Sequence, residues 1–341
     1  MESAGKKPRL VSVIIPCRNE RRFVGNCLES VVHQDYPEGF LEIIVIDGMS
    51  SDGTKEIVEM CIARYPFIRI FSNERKITSC ALNIGIKNAT GEVIVRMDAH
   101  AAYGSDYISK CVKYLYESGA DNVGGRMITL PQEDTLLGNM IVKALTSRFG
   151  VGNSDFRTGV EEPRETDTVF GGCYRKEVFG RIGLFNEKLA SSQDIEFNLR
   201  LRKSGGKTMI FPDIVSTYYT RSNFISFCKN NFRNGLWIVL PFKYSGIVPV
   251  RLRHLVPLMF VTGLLGSFTL SIFLRIFLFL FILIASAYLL TNLYFSGKIY
   301  NSERKVRYFA VMPFVFVSLH LCYGLGSLWG VFRYLLPSKD S

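Results

Sequence analysis

Residues Glu92-Val-Ile-Val-Arg-Met-Asp-Ala-His100 read as a short apolar strand that ends in a carboxylate and an imidazole. A run of Val and Ile without helical spacing favours extended chain. Asp98 and His100 are two residues apart, so at a strand end their side chains point the same way. Together they suit a divalent cation. The place also suits one, because open α/β sheets bind ligands beyond the carboxyl ends of their strands. The same strand-and-helix grammar extends outward from this stretch. Val11–Pro16 reads as a buried strand, and Phe23, Cys27, Leu28, Val31 and Val32 then recur at helical spacing. Leu41–Asp47 is a second strand, residues 48–53 a turn, and 54–64 a helix with Ser51 or Asp52 at its cap. Residues 67–71 give a third strand and 78–88 a helix. Such alternation predicts β-α-β units and an α/β fold with a mostly parallel sheet.

The chain has 341 residues, 48% of them apolar, with a mean hydropathy of +0.17. The apolar excess gathers between Leu255 and Leu335. The net charge is +11, and residues 241–341 hold ten Lys or Arg against two Asp or Glu. Basic residues flanking apolar runs point to an anionic membrane surface, with membrane lipids as partners. No basic patch interleaved with aromatics occurs in the first half, so no nucleic-acid partner is expected. The eight cysteines show no C-x-x-C pair and read as buried thiols in a reducing compartment. The N-terminus has no apolar core of a signal peptide, which predicts a cytoplasmic location for what precedes the tail.

The tail divides into three predicted spans, 255–274, 276–295 and 308–329, each about the ~20 residues needed to cross ~30 Å of hydrocarbon. The connector 296–307 carries Lys298, Arg304, Lys305 and Arg307, and by charge it is predicted to be cytoplasmic, with Ser341 outside. Residues 222–253 mix Phe, Trp and Tyr with Lys and Arg, as an interfacial helix does. Three domains are expected: 1–221 cytoplasmic and catalytic, 222–253 amphipathic interface helices, and 254–335 three transmembrane helices. Residues 131–165 read as loop and short helix.

Four segments carry the chemistry: Val13-Ile-Ile-Pro-Cys-Arg-Asn-Glu20, Val45-Ile-Asp-Gly-Met-Ser-Ser-Asp-Gly-Thr54, Ala81-Leu-Asn-Ile-Gly85 with Ala89-Thr-Gly-Glu92, and Asp98-Ala-His100. With Phe170-Gly-Gly-Cys-Tyr-Arg-Lys-Glu-Val-Phe179, Gly183-Leu-Phe-Asn-Glu187 and Gln193-Asp-Ile-Glu-Phe-Asn-Leu-Arg-Leu-Arg202, they resemble family 2 glycosyltransferases. His320-Leu-Cys-Tyr-Gly-Leu-Gly326 is similar to the succinoglycan-type, membrane-anchored glucosyltransferase subfamily. The resemblance spans about residues 10–330. It implies the GT-A fold: a Rossmann-like, mostly parallel sheet with helices on both faces, here followed by transmembrane helices.

The resemblance assigns Pro16, Asn19, Glu20, Asp47, Asn83 and Asp98 to the nucleotide-sugar. It gives Asp98 and His100 a Mn or Mg cation. Many relatives have Asp at the last place, and imidazole there suits Mn²⁺ at least as well as Mg²⁺. The other reading of His100 is a hydrogen-bonding group behind the ligands. Gly171 and Gly172 would let backbone approach a sugar. Arg233 and Trp237 would meet the acceptor or diphosphate, although Asn230-Asn-Phe-Arg-Asn234 departs from the Q-x-x-R-W of processive relatives. Asp194 is the expected catalytic base, where relatives carry Glu-Asp and this chain Gln193-Asp194. One carboxylate suffices, because a diphosphate leaves as a stabilised anion and only the acceptor hydroxyl must lose a proton.

The expected activity is metal-dependent, inverting transfer of a hexose from a nucleotide-diphosphate sugar to a lipid-linked, polyprenyl-borne acceptor at the cytoplasmic face of the cell membrane, in polysaccharide or glycan assembly. Two rivals remain. A polyprenyl-phosphate sugar transferase would use the lipid phosphate itself as acceptor. A degenerate GT-A domain would serve as a membrane scaffold.

Overall fold

The computed structural model describes residues 8–245 and 252–336. The chain folds as two compact units, Met1–Ile128 with Gly159–Tyr218, and Thr129–Thr158 with Tyr219–Ser341. Strands β1 (Val11–Cys17), β2 (Leu41–Asp47), β3 (Ile68–Ser72), β4 (Val93–Arg96), β5 (Ala101–Tyr103), β6 (Asn122–Pro131), β7 (Arg164–Glu165), β8 (Cys173–Arg175) and β9 (Thr208–Thr220) form one sheet. Its order is β3-β2-β1-β4-β8-β6-β9-β5, with β7 on β9.

The sheet is mixed. β1, β2, β3 and β4 run parallel to one another. β8 is antiparallel to β4 and β6, and β9 to β5 and β7. The parallel half is the part legible as β-α-β units. Helices α1 (Val24–Val32), α2 (Thr54–Arg64), α3 (Thr78–Asn88) and α4 (Tyr107–Glu117) connect its strands or follow them. The apolar runs of β1, β2 and β4 are continuous because both faces are covered. Val13, Ile15, Ile43, Val45, Val93 and Val95 pack with α1, α2 and α4 on one face. Ile14, Ile44, Ile46 and Ile94 alternate to the other face, where α3 lies with Val178, Phe179, Phe197 and Leu201 from later in the chain.

The second unit begins with helices where loop and short helix were expected: α5 (Leu136–Thr146), α6 (Arg148–Val151) and α7 (Asp155–Thr158). Thr135 caps α5 by accepting from the Gly138 amide, and Met140, Ile141 and Ala144 are buried. The short apolar face of α5 was hidden in a Gly- and Asn-bearing stretch. Helices α8 (Glu177–Ile182) and α9 (Gln193–Lys203) return the chain to the first unit. α10 (Phe224–Val239) and α11 (Pro241–Ser245) lead to α12 (Leu252–Ser271), α13 (Arg275–Glu303) and α14 (Val306–Leu335).

Among the described residues, α12, α13 and α14 are long and apolar enough to cross a membrane by length and composition. The reversal after α12 is the tight one expected beside Arg275. The second differs. α13 runs on through most of the expected connector, and the chain turns at Arg304, whose φ is +57°. Nothing from Ser296 to Glu303 breaks a helix, so its 29 residues extend about 43 Å. That is longer than the ~30 Å of hydrocarbon in a bilayer.

α10 packs closely on α14 within this unit. A Cβ built on Gly235 of α10 would fall 1.9 Å from the Tyr323 carbonyl oxygen, and one on Gly326 would fall 2.0 Å from that of Phe232. Only glycine permits backbones this close, as at small-residue crossings of membrane helices. His320 bridges Tyr288 on α13, through Nδ1 at 2.9 Å, and the Phe149 carbonyl, through Nε2 at 2.9 Å.

Candidate active site

The site lies in the first unit, where β1, β2 and β4 end together. Cys17 pairs with Asp47 and Pro16 with Ile46 across the parallel β1–β2 ladder. The sheet order turns from β1 to β4 on one side and to β2 on the other, the switch point at which such sheets bind ligands.

The loops after β1 and β2 are tied to each other. Asn19 takes a left-handed φ of +56°. Its side-chain oxygen accepts from the Ser51 amide at 2.9 Å, and its own amide donates to Ser50 Oγ at 2.9 Å. The Glu20 amide donates to Thr54 Oγ1 at 2.8 Å. Asp47 is buried and accepts from the Ser50 amide at 3.1 Å, so its carboxylate shapes the turn. Asp52, expected as a cap, accepts from the Thr54 amide at 3.1 Å, while Gly53 occupies the cap position at φ +94°. Burial pushes the Cys17 thiol up to about 12, and Asp47, Glu20 and Asp52 add to it. Cys17 is therefore an inert thiol, and three carboxylates act on the end of β1.

Asp98, Ala99 and His100 do not continue the strand. The Ala101 amide donates to the Asp98 carbonyl at 3.1 Å, which closes a tight turn. The pleat argument for parallel side chains therefore fails here, and the turn sets each direction. The Asp98 amide donates to Tyr103 Oη at 2.7 Å. The Asp98 carboxylate meets Arg96, whose Nε and Nη2 lie 3.2 and 3.1 Å from the same oxygen, Oδ1. His100 Nδ1 lies 3.1 Å from Glu20 Oε1, and its ring meets the edge of Tyr218 at 5.0 Å. A carboxylate on Nδ1 fixes the tautomer that carries its lone pair on Nε2, the arrangement common behind metal-bound histidines. Among the described residues no group of three or more His, Cys, Asp or Glu is gathered for a metal. The donor chemistry of Asp98 and His100 fits a cation whose remaining ligands come from elsewhere.

Arg96 is the residue that sequence reasoning passed over. It stands two places before Asp98, and the only sign of it was a charge inside an apolar strand. Burial works against its charge, but Asp98 and then Asp194 outweigh it and raise its pKa. Asp194 is thereby brought to the same charge as Asp98. It is half-buried in the first turn of α9, and its Oδ1 accepts from the Ile195 amide at 2.9 Å. Ser192, at φ +59°, holds the cap position, so Asp194 is not the cap residue. Glu196 points elsewhere. It is 1% exposed and accepts from Arg200 Nε at 2.7 Å and Nη2 at 3.0 Å.

Gly171 and Gly172 take φ of +69° and +106°. A Cβ on Gly171 would sit 2.6 Å from the Arg96 carbonyl oxygen, and one on Gly172 2.6 Å from the Tyr174 ring. The Arg96 amide donates to the Gly172 carbonyl at 2.9 Å. The close approach these glycines permit in this structure is thus to β4 and Tyr174. Asn83 is buried and committed to protein. It donates to the Phe185 carbonyl and Glu187 Oε1, both at 2.9 Å, and accepts from the Phe185 amide at 3.0 Å. It positions the loop before α9. Arg75 pairs with Glu187 as well. Arg233 and Trp237 lie on α10 in the second unit, where Arg233 Nη2 donates to Asn230 Oδ1 at 3.2 Å.

Residues 12–179 match the family model described as glycosyl transferase family 2. A similar protein is the dolichyl N-acetyl-alpha-D-glucosaminyl phosphate 3-beta-D-2,3-diacetamido-2,3-dideoxy-beta-D-glucuronosyltransferase of Methanococcus voltae, 32% identical over 66% of this chain and 71% of the relative. Another is the succinoglycan biosynthesis protein ExoA of Rhizobium meliloti, 27% identical over 72% of this chain and 74% of the relative. Among solved structures, the mannosyltransferase PcManGT from Pyrobaculum calidifontis, in complex with GDP-Man and Mn²⁺, aligns with a TM-score of 0.59 at 19% identity. It covers 95% of this chain, and this chain covers 88% of it, which establishes a shared fold.

Proposed function

The chain belongs to glycosyltransferase family 2, and from that premise we propose that it moves one sugar from a nucleotide-diphosphate sugar to a hydroxyl of a lipid-linked saccharide, with inversion. The observation that carries this is the Asp98–Arg96 pair just beyond the end of β4, with Asp194 in the first turn of α9 adding its charge to that of Asp98 on Arg96. The Methanococcus relative's name gives a sugar on a dolichyl phosphate as its acceptor, which favours a hydroxyl acceptor here over a bare lipid phosphate.

Asp47 and the tied loops around Asn19 and Glu20 form the rim proposed to receive the nucleotide, with Pro16 beneath, one residue before strand β1 ends at Cys17. Asp194 takes the proton of the acceptor hydroxyl. That oxygen attacks the anomeric carbon from the face opposite the diphosphate, the old C–O bond breaks, and the nucleoside diphosphate departs. One direct displacement inverts the centre. Glu196 is withdrawn from this step by its pair with Arg200. Asp98 and His100 would hold a Mn or Mg cation, which when bound stabilises charge on the leaving diphosphate.

We place the catalytic domain at residues 1–221 on the cytoplasmic side, with 222–253 at the interface and 254–335 in the membrane. Lys298, Arg304, Lys305 and Arg307 at the α13–α14 turn then face the cytoplasm. The test is incubation of the purified full chain with a panel of nucleotide-sugars, Mn²⁺ or Mg²⁺, and membrane lipid extract, followed by mass analysis. A lipid-linked saccharide heavier by one sugar is expected, and chelation should abolish it. A sugar appearing on bare polyprenyl phosphate would replace the reading with the lipid-phosphate transferase. Failure to bind any nucleotide-sugar would make the domain a scaffold.

A further inference from the structure

We propose that Arg96 is a positioning residue that makes cation binding at Asp98 conditional on the arriving diphosphate. The inference rests on the metal reading above and extends it to a residue that no motif named.

The geometry is specific. A guanidinium pairing most strongly with a carboxylate lies fork to fork, one N–H to each oxygen. Arg96 instead directs Nε and Nη2 to Oδ1 alone, at 3.2 and 3.1 Å. That leaves Oδ2 untouched by Arg96. The side chain is fixed at its root, because the Arg96 amide is held by the Gly172 carbonyl and Gly171 lies against the Arg96 carbonyl. The guanidinium is only 11% exposed, and Asp98 only 15%, so water screens their interaction weakly.

The electrostatic consequence follows from the count of charges. Asp98 is one negative charge, already neutralised by Arg96. Among the described residues no group of three His, Cys, Asp or Glu is gathered to hold a metal, and the carboxylate on His100, that of Glu20, is engaged by its Nδ1 at 3.1 Å. A divalent cation entering alone would meet two protein donors and a buried positive charge a few ångströms away. A nucleoside diphosphate supplies further oxygen ligands and negative charge, which reverses the balance. The charge of Arg96 is thus permanent in the site, and the metal's is borrowed with the substrate.

The test is Mn²⁺ titration of the purified full chain by electron paramagnetic resonance, without and with UDP or GDP in separate arms. Wild type is expected to bind Mn²⁺ weakly alone and much more tightly with one nucleotide. Arg96→Met should bind Mn²⁺ alone roughly ten- to a hundredfold more tightly, because a positive charge at short range is removed. Arg96→Lys should resemble wild type, and Arg96→Met with Asp98→Asn should lose the gain. Arg96→Gln, neutral but still a donor, is read by the same titration if the Met variant does not fold. Equal or weaker binding in the neutral variants, with nucleotide-dependent Mn²⁺ binding in wild type, would overturn this proposal and leave the metal reading standing. No Mn²⁺ binding by wild type with either nucleotide would overturn both.

Discussion

Replacing Asp194 by Asn and Glu196 by Gln separates chemistry from support on a single helix. Asn matches Asp in size, and its side-chain oxygen still accepts from the Ile195 amide, which lies 2.9 Å from Asp194 Oδ1. The rim proposed for the donor is Asp47 and the loops of Asn19 and Glu20, none of which bonds to residue 194. Donor affinity and thermal stability should therefore change little. Transfer should fall by about 10²–10⁴-fold, the usual loss when a general base is removed, or about 3–5 kcal/mol of activation free energy. Glu196→Gln should behave the other way. Glu196 is 1% exposed and takes two bonds from Arg200, whose Nη1 and Nη2 also donate to the Ile182 and Leu184 carbonyls. Breaking one side of a buried pair costs about 3–5 kcal/mol, and the carbonyl partners soften this toward about 2–3 kcal/mol. The variant should melt several degrees lower yet transfer at a near-normal rate per folded molecule. Calorimetric titration of nucleotide-sugar, a steady-state transfer assay and a melting curve on each protein decide it. A folded Glu196→Gln that is dead beside a near-normal Asp194→Asn would refute the assignment of the base.

Three further outcomes are expected. Gly326→Val should separate α10 from α14, since even a Cβ there sits 2.0 Å from the Phe232 carbonyl oxygen, whereas Gly266→Ala, with nothing within 4 Å, should melt like wild type. A cysteine at position 302, in a background freed of native cysteines, should react only with reagents that reach the cytoplasm; labelling from outside intact cells rejects the orientation. Burial raises the Glu42 pKa, but donors from Ser12 and Thr90 and the charge of Arg69 outweigh it and hold it below the ordinary 4.5. The stability Glu42 contributes is present above pH 4.5 and is lost as pH falls through its lowered value, so Glu42→Gln should flatten the acid limb of a melting-temperature profile.

Strands β1, β2 and β4 were legible because both of their faces are covered, and α1 because its apolar residues recur at helical spacing. The short strands of the antiparallel half were not. β5 and β8 are three residues long, and β7 only two. Strands this short carry no alternation to read, and they exist because neighbours supply their hydrogen bonds. The spans were legible by composition, while the end of α13 was not, since polar residues continue a helix as well as they continue a connector. At the site, the motifs located Asp47, Asp98 and Asp194 at strand ends or the first turn of a helix. They did not reveal that Asn83 is spent on the Phe185–Glu187 loop, or that Gly171 makes room for β4. Those are tertiary facts, set by partners about 75 to 100 residues away in sequence.

The same spacing gave a sound inference at one place and a failed one at another, and the difference is physical. Asp194 and Glu196 are two apart on a helix, which turns about 100° per residue, so they should face nearly opposite ways. They do: one is half-buried and acts on Arg96, the other is buried against Arg200. A helix fixes its own side-chain directions through bonds within four residues, so the rule survives wherever the helix is placed. Asp98 and His100 are also two apart, yet the strand stops at Arg96 and the chain turns through the Asp98–Ala101 hydrogen bond. A strand end has no such internal bonds, and its neighbours decide where it stops. Here Tyr103 takes the Asp98 amide, Arg96 takes its carboxylate, and Glu20 takes His100. The orientation of a strand-end motif therefore belongs to the surrounding fold. Its residues are best tested through those neighbours, Arg96 first among them, because Arg96 engages the carboxylate proposed for the cation and feels the one proposed for the proton.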